Sequence, residues 1–297
     1  MLPRMKPLLF KTPEEFRSWR ASISSSQKLA QKLGFVPTLG ALHEGHLSLV
    51  RMARKKCDRV VVSIFVNPLQ FGPGEDFEKY PRPLENDLKL LEQVGVDAVF
   101  APEIKSFYSD NHSTFVVEEK LSQGLCGAHR PGHFRGVTTV VLKLLNLIQP
   151  QIAFFGQKDA QQVAVVKKMV HDLLVPVEIA VGPTIREPDG LALSSRNAYL
   201  KPELRKKASK IFEGLQEALN LWNSGENSAK KIALAFQKTL LGDPDFQIQY
   251  CEVVDPEDLH PLEFITSEKD ALIAVAVYLG STRLVDNLLV SVYFSCP

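Results

Sequence analysis

The run Pro37-Thr-Leu-Gly-Ala-Leu-His-Glu-Gly-His46 sets two imidazoles three residues apart among two glycines. Glycines at 40 and 45 let the main chain approach a ligand closely. A helix opening near residue 45 offers N–H groups and a positive dipole end to a phosphate. His43 and His46 at that end suit hydrogen-bond donation to phosphate oxygens. Zinc is a poorer reading, because the H-E-x-x-H spacing is missing and no third ligand lies nearby in sequence. A plain strand–turn–helix with two surface histidines is the remaining alternative. Further along, Phe155-Gly-Gln-Lys-Asp159 offers a lysine suited to a polyphosphate and an aspartate suited to ribose hydroxyls. The alternative there is an ordinary polar turn with Asp159 as helix cap. Leu193-Ser-Ser-Arg-Asn197 puts two hydroxyls and a guanidinium together, either a phosphate clamp or a polar linker. His129-Arg-Pro-Gly-His-Phe-Arg135 holds four potential cations and reads equally as a substrate loop or a solvated bend. Asn67-Pro-Leu-Gln-Phe-Gly72 sets Asn67 and Gln70 among apolar residues, as in a small pocket with a few orienting groups or a tight loop.

The elements that must position these groups follow from hydrophobic period. Gly34–Pro37 reads as a short strand. Arg59-VVVSIFV-Asn67 is a β-branched run expected of a strand buried on both faces of a parallel sheet. Leu84, Leu88, Leu91 and Val94 keep helical spacing up to Gly95, and a strand follows at Asp97–Pro102. Val137 to Ile148 form a helix face, Gln151–Gly156 a strand, Val163 to Leu173 a helix and Val177–Gly182 a strand. Strands separated by helices of this length mean βαβ units, an α/β class and a Rossmann-like, doubly wound parallel sheet. Ligands of such sheets bind at the carboxyl ends of the strands, which puts Lys158 and Asp159 on the rim expected for the histidines.

After about residue 186 the pattern changes. Pro202 opens a long helix whose stripe runs Leu204, Ala208, Ile211, Leu215, Ala218 and Trp222. A second helix covers about 229–241. Strands are expected at Phe246–Val254, Ala271–Leu279 and Leu288–Phe294, the last two joined by a hairpin turn around Gly280. The expected domains are therefore 1–186, a Rossmann-like catalytic domain, and 187–297, a smaller C-terminal α+β domain acting as a lid.

Composition removes several classes of function. Lys+Arg 35 against Asp+Glu 34 leaves +1, so no global field gathers nucleic acid or coats an anionic membrane. Four cysteines without CxxC spacing fit a reducing compartment, and no signal peptide or membrane span is read, so a cytoplasmic protein is expected. P-loop, dinucleotide-dehydrogenase and G-x-S-x-G hydrolase signatures are missing from the sequence.

Taken together, PTLGALHEGH, IFVNPLQFGPGEDFEKYPR, HFRGVTTVVLKLLN, FFGQKDAQQ and IREPDGLALSSRNAYL resemble the pantothenate synthetase (pantoate–β-alanine ligase) family. That family lies within the nucleotidyltransferases with HIGH-like and KMSKS-like signatures. The likeness is close over residues 30–200, and the RLVDN strand fits too. It implies ATP with Mg2+ as co-substrate, attack of pantoate on the α-phosphate to give pantoyl adenylate and pyrophosphate, and displacement of AMP by β-alanine. It implies that His43 and His46 bind phosphate, His46 as proton donor. ATP binding is implied for Leu39, Gly40, Ala41, Leu42, Glu44 and Gly45 around the histidines. The same is implied for Gly156, Gln157, Lys158, Asp159 and Ile185, with Lys158 on the phosphates and Asp159 on the ribose.

Leu193, Ser194, Ser195 and Arg196 match the family's phosphate-clamping loop, with the two serines and the arginine catalytic, and 194–197 are expected to close over ATP. Gln70 and Gln162 match the pantoate pair, Gln70 also lying near β-alanine. Asn67, Arg130 and His133 line the substrate pocket, and Asp87 lies near the metal. A homodimer is implied as well. The chain departs from the family at Leu39 and Leu193, where Met is usual, and at Gln157, where Glu is usual. It also has Asn86 in place of an Asp, which bears on magnesium coordination. A nucleotidyltransferase that leaves the nucleotide on its product is the alternative from another reaction class. A nucleotide-binding sensor module is the third reading.

Overall fold

The computed structural model describes residues 6–25 and 31–291. The element order is β1 (Leu8–Phe10), α1 (Pro13–Ser25), β2 (Leu33–Thr38), α2 (Glu44–Lys56), β3 (Arg59–Ile64), α3 (Leu84–Gln93), β4 (Ala98–Phe100), α4 (Ile104–Phe107) and α5 (Cys126–His129). Then come α6 (His133–Ile148), β5 (Ile152–Gly156), α7 (Ala160–Asp172), β6 (Glu178–Gly182), α8 (Pro202–Lys207), α9 (Lys210–Asn223), α10 (Ala229–Leu240), β7 (Phe246–Val254), β8 (Ala271–Leu279) and β9 (Thr282–Val290).

The described chain forms two compact units. Of the described residues the first takes those up to 119 together with 130–156 and 165–183; the second takes 120–129, 157–164 and 184–291. In the first, six strands lie in the order β1-β4-β3-β2-β5-β6, and every neighbouring pair is parallel. The β-branched run of β3 sits inside this sheet with Val60, Val61 and Val62 fully buried, as a strand covered on both faces requires. Leu47, Val50 and Ala53 of α2 pack on Val36, Val62 and Phe154. Strand succession runs one way from β2 through β3 to β4 and reverses at β5. The junction of β2 and β5 is therefore the switch point of the sheet, where the carboxyl ends diverge.

The edge strand β1 and helix α1 carry no counterpart in the sequence reading. Three residues give no usable alternation. The stripe of α1 is only Phe16, Trp19 and Ile23. Phe16 is fully buried and packs edge-on against Phe10 and Phe100.

The second unit is built on the antiparallel sheet β7-β8-β9. Ile273, Val275 and Val277 of β8 share a core with Ile211 and Leu215 of α9 and Ile232 and Phe236 of α10. Two expectations change here. The helix expected to run on from Pro202 is two helices, because Ala208, Ile211 and Phe212 donate to carbonyls three residues back and break the i−4 ladder. The last strand begins at Thr282 rather than at 288. A two-residue turn at Gly280 (φ +58) and Ser281 pairs Leu279 directly with Thr282, and residues 292–294 of the expected strand lie outside the described residues. No described helix is long and apolar enough to cross a membrane.

Candidate active site

Each unit brings together its own set of the residues singled out in the sequence. In the first, the chain leaves β2 at Thr38, whose hydroxyl donates to Ser63 O (2.7 Å) and accepts from Gly40 N (3.2 Å). Gly40 (φ +85) and Ala41 (φ +50) both take the left-handed conformation. That is easy for glycine and costs about 1 kcal/mol for alanine. Asp87 from α3 holds this turn. One carboxylate oxygen accepts from Ala41 N (2.9 Å), the other from Leu42 N (2.8 Å), and the residue is 1% exposed. Burial raises the Asp87 pKa, against the opposing pull of those two donors.

Two histidines then cap α2 reciprocally. His43 Nδ1 accepts from Gly45 N (3.2 Å), and His46 Nδ1 accepts from His43 N (3.3 Å), a capping box made of imidazoles. The rings lie 4.1 Å apart, centroid to centroid. An accepting Nδ1 leaves the proton of a neutral ring on Nε2, so the cap fixes the tautomer of both side chains. One consequence departs from the expectation of open N–H groups at this helix end: the Gly45 N–H is already taken by His43. Glu44, expected at ATP, is paired with Arg51.

The loop after β3 is braced from several sides. Asn67 is fully buried. Its Nδ2 donates to Gln70 Oε1 (3.1 Å) and Gly136 O (3.0 Å), while its Oδ1 accepts from Tyr108 Oη (3.1 Å) and Leu69 N (3.3 Å). Asn67 therefore orients Gln70 with its Nε2 hydrogens directed away from this contact. His133 Nδ1 donates to Gln70 O (2.8 Å), and its Nε2 accepts from Arg130 Nη1 (3.0 Å). Arg130 in turn grips Glu75 with two bonds, 2.7 and 2.5 Å, and reaches Gln70 O (3.3 Å). Burial alone would raise the Glu75 pKa, but the bonds and charge of Arg130 outweigh it and hold the carboxyl below its usual range. Arg130, His133 and Asn67 thus act on the shape of the Gln70 loop. Glu75, Tyr108 and Gly136, unremarked in the sequence, do the same. At Gly136 an added Cβ would lie 2.2 Å from Leu69 O, so α6 and the loop meet backbone to backbone.

In the second unit, Gln157, Lys158 and Asp159 form a one-turn 3-10 helix directly after β5 and Gly156. Lys158 Nζ lies 3.7 Å from the half-exposed carboxylate of Asp159. Gln162 is half-buried on α7, whereas its neighbour Gln161 is buried and pins 121–126 by bonds to Leu121 O, Gly124 O and Cys126 N. Ile185 O accepts from Leu193 N (2.9 Å), closing a narrow hairpin that leads into Ser194. Ser194 Oγ caps the following turn by accepting from Arg196 N (3.3 Å), and Ser195 and Arg196 lie in that turn. Asn197 ties the turn to Glu187 Oε1 and Ala192 O, both at 3.1 Å. Among the described residues no group of three or more His, Cys, Asp or Glu could hold a metal ion.

A parallel sheet with its polar groups on the turns that follow β2, β3 and β5 is the frame of a doubly wound α/β enzyme. Comparison with known proteins narrows this class. The family model described as pantoate-beta-alanine ligase matches residues 8–289. A pantothenate synthetase of Thermoanaerobacter is 55% identical over 269 residues, 90% of this chain and 94% of the relative. The crystal structure of pantothenate synthetase from Thermus thermophilus is 45% identical with a TM-score of 0.88, covering 96% of this chain and 99% of that one. A pantoate-beta-alanine ligase from Francisella tularensis, solved in complex with beta-gamma ATP and beta-alanine, is 35% identical with a TM-score of 0.78, over 95% of this chain and 97% of that one. The chain belongs to the pantoate–β-alanine ligase family, and it is an enzyme of the acid–amine ligase kind.

Proposed function

We propose that the enzyme joins pantoate to β-alanine at the expense of ATP through a pantoyl-adenylate intermediate. The carboxylate of pantoate attacks the α-phosphate, the bond to the bridging oxygen breaks and pyrophosphate leaves. The amine of β-alanine then attacks the acyl carbon and AMP leaves. Such a phosphoryl centre needs charge stabilisation at the equatorial oxygens and a restrained leaving group more than it needs covalent help.

The observation that carries the reading is the imidazole capping box. It fixes His43 and His46 with their protons on Nε2 at the positive end of α2, and in this role both donate to phosphate oxygens. His46 donates a hydrogen bond from Nε2 to the leaving oxygen and stabilises the charge that grows there. Lys158 takes the β- and γ-phosphates, Asp159 the ribose, and Ser194, Ser195 and Arg196 the phosphates in turn. Gly40 to Gly45, with Leu39, Gly156, Gln157, Ile185 and Leu193, contact the nucleotide. Gln70, held donor-outward by Asn67, takes a pantoate oxygen together with Gln162.

Magnesium enters as part of the ATP substrate. Asp87 does not fit a direct ligand role, since it is buried with both oxygens on main-chain donors. A homodimer in the cytoplasm completes the reading.

Phosphorus NMR of a complete reaction mixture tests where ATP is cut. AMP and pyrophosphate in step with pantothenate are expected; ADP and inorganic phosphate would overturn the scheme.

A further inference from the structure

β9 carries two adjacent polar residues, Asp286 and Asn287, each only 5% exposed. Successive residues of a strand face opposite sides of the sheet, so the two side chains serve different partners. Asn287 Nδ2 donates to the carbonyls of Gln157 and Lys158, both at 2.9 Å, and its Oδ1 accepts from Gln157 Nε2 (3.3 Å). Two carbonyls can face only the amide nitrogen, so this arrangement admits one orientation of the side chain. Asp286 binds Arg186 with two bonds, 2.6 and 3.0 Å. That guanidinium also donates to Gly190 O (3.1 Å) and lies 4.0 Å from the Phe212 ring. Arg186 directly follows Ile185, whose carbonyl holds Leu193. One strand thus grips both the turn bearing Lys158 and the hairpin leading into Ser194.

A buried amide is costly unless every bond is made, and an apolar residue would fill the same space more cheaply. Both of its donors are spent on the backbone of a single turn, which an apolar side chain could not hold. We infer that Asn287 is a positioning residue that sets the main chain under Lys158, with Asp286 doing the same for 185–193 through Arg186. The inference rests on the reading that Lys158 binds the phosphates of ATP.

The test is a steady-state double-mutant cycle on the full-length enzyme with Lys158→Ala, Asn287→Ala and the combined variant. Asn287→Ser is the gentler second change, and Leu284→Ala serves as a packing control on the same strand. Asn287→Ala is expected to raise KM for ATP about tenfold, the loss of one or two net hydrogen bonds, with KM for pantoate and β-alanine within about twofold of the parent. Asn287→Ser should fall between. Leu284→Ala should lower Tm without changing the ratio of KM values. The combined variant should use ATP no worse than Lys158→Ala alone, since a residue acting through Lys158 adds nothing once the lysine is gone. Additive losses, or equal changes in all three KM values, would overturn the role of Asn287 while leaving that of Lys158 standing. Unchanged ATP use by Lys158→Ala would overturn the phosphate reading and the inference with it.

Discussion

The histidines of the α2 cap close the helix end through Nδ1. In the proposed function their other nitrogen, Nε2, donates to phosphate oxygens. Removing His46 therefore costs a transition-state donor, and His46→Ala should lower the adenylation rate by roughly 10²-fold or more in rapid-quench assays. His43→Asn separates the two duties. Asparagine is a good helix cap, so Tm should stay near that of the parent while the rate falls. A parallel loss of both would show that His43 matters only for the fold.

Glu75 offers a second test at this scale. Its carboxyl is held below the usual range, so the stability it lends is complete above the ordinary carboxylate pKa. That stability is lost only as pH falls through the lowered native value. In Arg130→Met the bonds and charge that chiefly oppose burial are gone, with only Gly72 and His133 still lowering it, and the Glu75 midpoint followed by NMR should move upward. The histidines, the lysine and Gln70 stand out in the sequence because their types and spacing could carry the proposed chemistry. The capping role of Nδ1 was not, since histidine is not a usual cap. Nor was the grip of Arg130 on Glu75, which spans 55 residues.

Among the elements, the inner strands of the parallel sheet announced themselves by period while the edge strand β1 and helix α1 did not, and β7 and β8 lie where their apolar runs end. Contacts without a local signature were hidden. Gly136 lies inside the strongly apolar stripe of α6, and nothing in that helix says that Leu69 O would meet an added Cβ at 2.2 Å. Gly136→Ala must push either α6 or the Asn67–Gln70 turn aside. A loss of about 1–3 kcal/mol is expected from chemical unfolding, together with a raised KM for pantoate. A variant that unfolds like the parent and keeps its KM would show that the loop does not depend on this close approach. The broken helix at Ala208 has the same character. Its apolar stripe continues unbroken through Trp222, so periodicity alone cannot register the switch to i−3 bonds.

For the molecule as a whole, the change of pattern near residue 186 was readable from composition and period. The membership of 120–129 and 157–164 in the second unit was not. Gln161 joins those two segments to each other, while Cys126 meets Tyr250 and Arg283, and Asn287 holds 157–158, contacts at long range that local sequence does not announce. The polar pair in the apolar run RLVDNLLV was the one available signal.

In the proposed scheme the activation of pantoate is a separate, reversible step. Isotope exchange between pyrophosphate and ATP, with magnesium and pantoate present and β-alanine withheld, tests it most directly. Exchange that depends on pantoate is the predicted result, followed by AMP and pantothenate once β-alanine is added. Absence of exchange from folded protein that binds ATP would contradict the adenylate mechanism.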